Sequence, residues 1–291
     1  MSDAQAPVVV GVDGSDQSRA AVPLAAREAA WRHRPLRVVH AFIWPMLRVP
    51  LEPPKNGPAD GGLRQQADRI LDEAMEEARA AQPGLPVSGE VVAGQPAVVL
   101  LAEARHAEMV VIGSRGLGGF TGLLLGSVAV QIVEHAPCPV LVARGEERTS
   151  GPVLVGVDGS LKSEPAIRFA LEEASWRGTG VVAVHAWTHP VSVGPGDMQP
   201  LVFDINAIEE DEARALAESM AGWRERYPDV PVETRTVRGR AARALLDEAG
   251  DAQLIVVGAR GRGGFTGLLL GSVSQAVLHH APCPVALLRT G

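Results

Sequence analysis

Met109-Val110-Val111-Ile112-Gly113-Ser114-Arg115-Gly116 runs an apolar tetrad straight into a glycine loop, and nine residues later the loop closes on Gly126-Ser127. At an offset of 145 the pattern returns as Leu254-Ile255-Val256-Val257-Gly258-Ala259-Arg260-Gly261, with Gly271-Ser272 again nine residues on. The same offset carries Val10-Gly11-Val12-Asp13-Gly14-Ser15 onto Val155-Gly156-Val157-Asp158-Gly159-Ser160, His40-Ala41 onto His185-Ala186, and Cys138 onto Cys283. One domain has been duplicated. The expected halves are residues 1–147 and 148–291, each long enough to close its own core.

Within the first half, apolar runs at Val8–Val12, Leu36–Phe42, Val87–Val92, Met109–Ile112 and Val140–Ala143 read as strands. Between them, helical spacing covers Ser18–His33, Leu63–Ala81, Ala97–His106 and Leu123–Glu134, with Ser15 or Asp16 as a cap for the first. Strands that are apolar on both faces and alternate with helices predict a parallel sheet covered on both sides. The expected fold is α/β, two tandem doubly wound parallel five-stranded sheets. An order of 3-2-1-4-5 would set the carboxyl ends of strands one and four side by side at the switch point, where such sheets bind ligands. Asp13 would then face the glycine loop across one cleft. The Pro/Gly-rich stretch 45–62 and its counterpart 188–200 read as long loops, suited to lids or partner surfaces.

With 27 basic and 34 acidic side chains, the chain has a net charge of −7, which gives no general attraction to nucleic acid or an anionic membrane. Residues 1–7 lack the apolar run of a signal peptide, and no segment approaches the roughly 20 apolar residues of a membrane span. The expectation is a soluble, cytoplasmic protein. Its two cysteines stand in identical Ala-Pro-Cys-Pro-Val contexts and read as small buried residues of their own copies, not as a disulfide.

Glycines at 113, 116, 118 and 119, and at 258, 261, 263 and 264, clear side chains from the main chain so that N–H groups can meet phosphate oxygens. Gly126-Ser127-Val128 and Gly271-Ser272-Val273 open the next helix, whose N-terminus also favours an anion. A tight turn is the alternative for either loop. This is not a P-loop: the Gly-Lys-Ser/Thr ending is missing, and the lysines are Lys55 and Lys162. Arg115 and Arg260 either supply charge or sit at the surface. Asp13 and Asp158 suit a ribose hydroxyl or a magnesium water shell, against the plainer role of turn residues bonding their own backbone. His40 and His185 read as core or cleft lining, and no residue is nominated as a general base.

Taken together, these residues resemble the universal stress protein family in its tandem, nucleotide-binding form. The markers are Val-Gly-Val-Asp-Gly-Ser, the His-Ala that ends strand two, Gly-x2-Gly-x9-Gly-Ser and Ala-Pro-Cys-Pro-Val, in both copies. The resemblance implies the order 3-2-1-4-5, pairing through the fifth strand, and ATP binding with magnesium. It implies an adenosine and ribose side at Gly11 and Asp13, and phosphate contacts from Gly113, Ser114, Arg115, Gly116, Gly118 and Gly119, closed by Gly126, Ser127 and Val128. In the second copy the same roles fall to Gly156 and Asp158, to Gly258, Ala259, Arg260, Gly261, Gly263 and Gly264, and to Gly271, Ser272 and Val273. The resemblance further implies a stress or dormancy regulator that acts through nucleotide occupancy, as a homo-oligomer of tandem chains read by a protein partner. A slow ATP hydrolase or phosphotransferase and a nucleotide-independent interaction module are the other classes the residues allow.

Overall fold

The computed structural model describes residues 5–43, 62–117, 125–188, 204–261 and 270–289. Most of both long loops, with Gly118, Gly119, Gly263 and Gly264, therefore lies outside the described residues. The chain divides into two compact units, one ending at Arg144 and the next beginning at Gly145.

The first unit runs β1 (Val8–Val12), α1 (Asp16–Trp31), β2 (Leu36–Phe42), α2 (Leu63–Ala81), β3 (Val87–Ala93), α3 (Pro96–Ala104), β4 (Met109–Gly113), α4 (Ser127–His135) and β5 (Val140–Ala143). Its strands are parallel and lie in the order β3-β2-β1-β4-β5. Chain direction across the sheet reverses after β3, so right-handed crossovers put α1 and α2 on one face and α3 and α4 on the other. The packing agrees: α1 lies against α2, and α3 against α4. Central strands β1 and β4 are buried almost throughout, whereas β3 alternates polar and apolar residues. Helix α2 buries Ala67, Leu71, Ala74 and Ala78, a single stripe at helical spacing.

The second unit repeats the plan with β6 (Val153–Gly156), α5 (Glu164–Arg177), β7 (Val181–Trp187), α6 (Ile205–Arg226), β8 (Val232–Arg238), α7 (Ala241–Glu248), β9 (Leu254–Gly258), α8 (Ser272–His280) and β10 (Val285–Leu288). Its order, β8-β7-β6-β9-β10, is the same one reached independently.

Differences between the copies have local causes. In the first, Ser15 caps α1 and its hydroxyl accepts from the Ser18 N–H at 3.2 Å. In the second, Ser160 makes no such bond, the chain takes a short 3-10 turn at Leu161–Ser163, and α5 starts later. Helix α5 ends on Gly178 in the left-handed region (φ 62°), where the first copy holds His33 at φ 52°. Only glycine enters that region without steric cost. His33→Gly should therefore raise the stability of the first unit by up to about 1 kcal/mol in urea denaturation.

A clamp between edge strand and helix survives with its charges exchanged. Arg37 on β2 bonds Glu90 (2.7 Å) and Glu103 (2.7 Å) in the first unit, while Arg235 on β8 bonds Glu233 (2.7 Å) and Glu248 in the second. Glu103 and Glu248 correspond at offset 145, but the arginine comes from a different strand. Cys138 is half-buried, and burial pushes its thiol up to about 11, which leaves it unreactive at neutral pH.

Candidate functional site

Strand pairing brings the carboxyl ends of β1 and β4 together, and the turn after β1 meets the loop after β4 there. Asp13 joins them. Its Oδ1 accepts from the Ser15 N–H (3.0 Å) and the Ser15 hydroxyl (2.6 Å), while its Oδ2 accepts from the Leu117 N–H of the glycine loop at 2.8 Å. Oδ1 thus takes the turn role considered for Asp13, while Oδ2 ties that turn to the glycine loop. Gly14 takes φ 87°, a left-handed angle that fits glycine, with Ile70 packed above it.

Burial of the Asp13 carboxyl disfavours its charged form, but the Ser15, Leu117 and Ser18 hydrogen bonds outweigh that and hold it below the ordinary carboxylate value. A carboxylate held low in the folded state contributes stability above its unfolded value near 4, and the contribution is lost as pH falls through the lower folded value. Asp13→Asn should accordingly flatten the loss of stability in urea titrations taken below about pH 4.

The loop is tied at its other side by main chain. The Ser114 N–H donates to the Ala143 carbonyl at 3.1 Å, and the Ser114 carbonyl accepts from the Gly126 N–H at 2.8 Å. Ala259 makes the same two bonds, to Leu288 (2.7 Å) and from Gly271 (2.8 Å), so the serine-to-alanine difference leaves the loop's fastening intact. Both residues are buried, and Ser114 does not line the cleft. Gly126 caps α4 with extended angles (φ −73°, ψ 150°), and Ser127 and Val128 begin the helix at the cleft. Of the helix expected over Leu123–Glu134, Leu123 and Leu124 lie outside the described residues, and Leu125 and Gly126 stand before the helix, the Gly126 N–H being bonded to Ser114.

Gly113 is required for packing. A Cβ there would stand 2.5 Å from the Gln17 carbonyl oxygen, main chain against main chain, whereas at Gly258 the nearest atom is 3.2 Å away, the Arg260 carbonyl oxygen. Gly113→Ala should cost the first unit about 1–3 kcal/mol in chemical denaturation, with Gly258→Ala costing the second less. Gly11 serves differently: Leu100 packs where its Cβ would be, at 2.8 Å, and Leu245 does the same over Gly156 at 3.1 Å.

Around these groups the first unit encloses a cavity of about 700 Å³. One end is made by Gly113, Arg115, Gly116, Gly126 and Ser127, the other by His40, Phe42, Ile43, Ala67 and Ile70. Arg115 is exposed at the mouth, as Arg260 is exposed in its own copy. The apolar end escaped the sequence reading, since α2 and the end of β2 show there only as core pattern. In the second unit, Asp158 Oδ1 accepts from the Ser160 N–H (2.9 Å) and hydroxyl (2.6 Å) and from the Ser163 hydroxyl (2.7 Å). Ser274, which replaces Ala129, adds a bond from its hydroxyl to the Gly258 carbonyl at 2.7 Å. Of the two histidines read as core or cleft lining, His185 is buried and His40 lines the first cavity. Among the described residues no group of acidic, histidine or cysteine side chains has the form of a metal cluster, and no helix is long and apolar enough to cross a membrane.

The profile of the universal stress protein family matches residues 6–144 and again 150–289. A universal stress protein of Mycobacterium tuberculosis is 44% identical over 97% of this chain and 96% of its own. One of Mycolicibacterium smegmatis is 39% identical over 97% of this chain and 96% of its own. The crystal structure of a universal stress protein from Archaeoglobus fulgidus shares the fold, with TM-score 0.70 at 20% identity and 98% coverage of both chains. Matched in both halves and alike in sequence over nearly its whole length, the chain belongs to the universal stress protein family.

Proposed function

We propose that each unit binds ATP with magnesium, and that the chain is a cytoplasmic stress or dormancy regulator whose occupancy is read by a protein partner, as a homo-oligomer of tandem chains. The observation that carries this reading is the first cleft. Its volume suits a nucleotide, one end is apolar enough for a purine, and the other is built from glycine main chain and the N-terminus of α4. Arg115 at the mouth would add charge to the phosphate end. Asp13, held below the ordinary carboxylate value by its hydrogen bonds, would stand ionised at the ribose side, and Asp13 and Asp158 would both lie close enough to act on a magnesium ion through its waters. Magnesium would neutralise phosphate charge.

Binding without turnover is the chemistry that fits. Both Asp13 oxygens already accept hydrogen bonds from the protein, a use suited to an anchor more than to a base that takes a proton from water. Purification without added nucleotide, denaturation and identification of the released small molecules would test this. ATP near two equivalents per chain is the expected result; ADP would reopen slow hydrolysis. A chain that carries nothing and gives no heat with Mg-ATP would overturn the reading in favour of a nucleotide-independent interaction module.

A further inference from the structure

The turn that leaves the first strand of each unit carries opposite charge in the two copies. In the first it reads Asp13-Gly14-Ser15-Asp16-Gln17-Ser18, and in the second Asp158-Gly159-Ser160-Leu161-Lys162-Ser163. Asp16 gives way to Leu161 and Gln17 to Lys162, so beyond the shared aspartate the turn passes from one negative charge to one positive. All four side chains are exposed. Lys162 is the one lysine among the described residues, and no described carboxylate pairs with it.

Each turn runs beside its own glycine loop. In the first unit α1 starts at Asp16, and the Gln17 carbonyl oxygen stands 2.5 Å from where a Cβ on Gly113 would be. In the second the short 3-10 turn delays α5, and the Lys162 carbonyl oxygen stands 4.0 Å from the equivalent point at Gly258. Asp13 and Ser18, the ends of the first turn, line the cavity together with Arg115 and Gly116 of the loop. The glycine motif itself lacks a P-loop lysine, and the fold sets Lys162 next to that motif in the second copy only.

We propose that Lys162 is a specificity-determining residue of the second unit, where it makes binding depend on the number of phosphates, and that the first unit, with Asp16 and Gln17, distinguishes phosphate number weakly. The inference rests on the nucleotide reading above and adds to it an inequality between the units. A lysine ammonium is a compact charge on a flexible stem, and it attracts each added phosphate charge. Arg115 and Arg260 are common to both copies and cancel in the comparison. The magnesium complexes of ATP and ADP differ by one negative charge, so exchanging Asp16 and Gln17 for Leu161 and Lys162 alters their relative affinity through two charge contacts. At about 7 Å in a water-like medium each contact is worth about threefold, and salt trims the two together to about fivefold.

The test is calorimetric titration of the full chain with Mg-ATP and Mg-ADP. Gly116→Val chains report the second unit and Gly261→Val chains the first, with circular dichroism as the folding control. In dilute salt the ATP-to-ADP affinity ratio should be about fivefold larger in the second unit, and it should fall toward that of the first at about 0.5 M salt, where screening acts within about 4 Å. Lys162→Gln should lower the second unit's ratio by about threefold, and Gln17→Lys should raise the first unit's by as much. Arg240→Gln removes the same charge from the N-cap of α7, two strands farther along the sheet from β6, and should leave the ratio unchanged. Equal ratios in the two units, a ratio indifferent to Lys162→Gln, or an equal fall with Arg240→Gln would overturn the proposal while leaving nucleotide binding in place. Failure of both nucleotides to bind either unit would remove the nucleotide reading, and this inference with it.

Discussion

Gly116→Ala should weaken ATP binding at the first cleft by about 10–100-fold while the unit stays folded. A Cβ at Gly116 would stand 2.2 Å from Asp13 Oδ2, far inside contact distance. That oxygen is the acceptor for the Leu117 N–H, so the added methyl drives the carboxylate off the loop and breaks the bond that joins the two sides of the cleft. The displaced atom is the end of a side chain and can move, which is why the fold survives. At Gly261 the corresponding distance to Asp158 Oδ2 is 3.0 Å, so Gly261→Ala should have a distinctly smaller effect on its own cleft. Calorimetric affinity per folded molecule, with circular dichroism as the folding control, separates these outcomes. An unchanged affinity in folded Gly116→Ala would mean that the Asp13 contact has no part in holding ligand.

This asymmetry was not visible in the repeat. Period and alternation make the strands legible: β1, β2, α2 and β5 have the bounds that residue pattern alone predicts, whereas the order 3-2-1-4-5, now observed, is implied by the family resemblance and not by burial or pairing. Patterns of burial are local properties of sequence. What pattern does not carry is which main-chain group is already taken. The apolar run ending at Leu125 looks like part of a helix, yet Leu125 and Gly126 stand outside it and the Gly126 N–H goes to Ser114, a dozen residues upstream. Asp13 reads as a turn residue or a ligand contact, and only the placement of two loops 104 residues apart shows that it holds its own turn and also fastens the glycine loop at the cavity wall. The exchange of Ala67 for Glu212 is plain in the aligned copies, but it means nothing until His185 is found 2.9 Å away.

The other large effect lies in a pair the sequence presents as ordinary. Glu28 on α1 and Arg32, the residue that caps its C-terminus, are four residues apart, and Glu173 and Arg177 repeat them on α5; such spacing usually marks an exposed helical pair worth a few tenths of a kcal/mol. Here both glutamates are 0% exposed, and the arginine side chains are only 4% and 5% exposed. Arg177 donates to Glu173 at 2.9 Å and to Gln253 Oε1 at 3.0 Å, and Gln253 donates in turn to the Gly151 carbonyl at 2.6 Å. This chain of bonds links the end of α5 to the residues that enter β6 and β9. Burying two charges costs several kcal/mol per ion, recovered only while each keeps its partner. Glu173→Ala should therefore destabilise the second unit by about 3–5 kcal/mol, a large share of the stability of a single domain. Replacing both partners, Glu173→Leu with Arg177→Met, removes the buried charges together and should cost much less than the two single changes summed. Urea denaturation of the four chains gives the coupling directly. Single changes each below about 1 kcal/mol would show the pair to be as weak as a solvent-exposed one, against its complete burial.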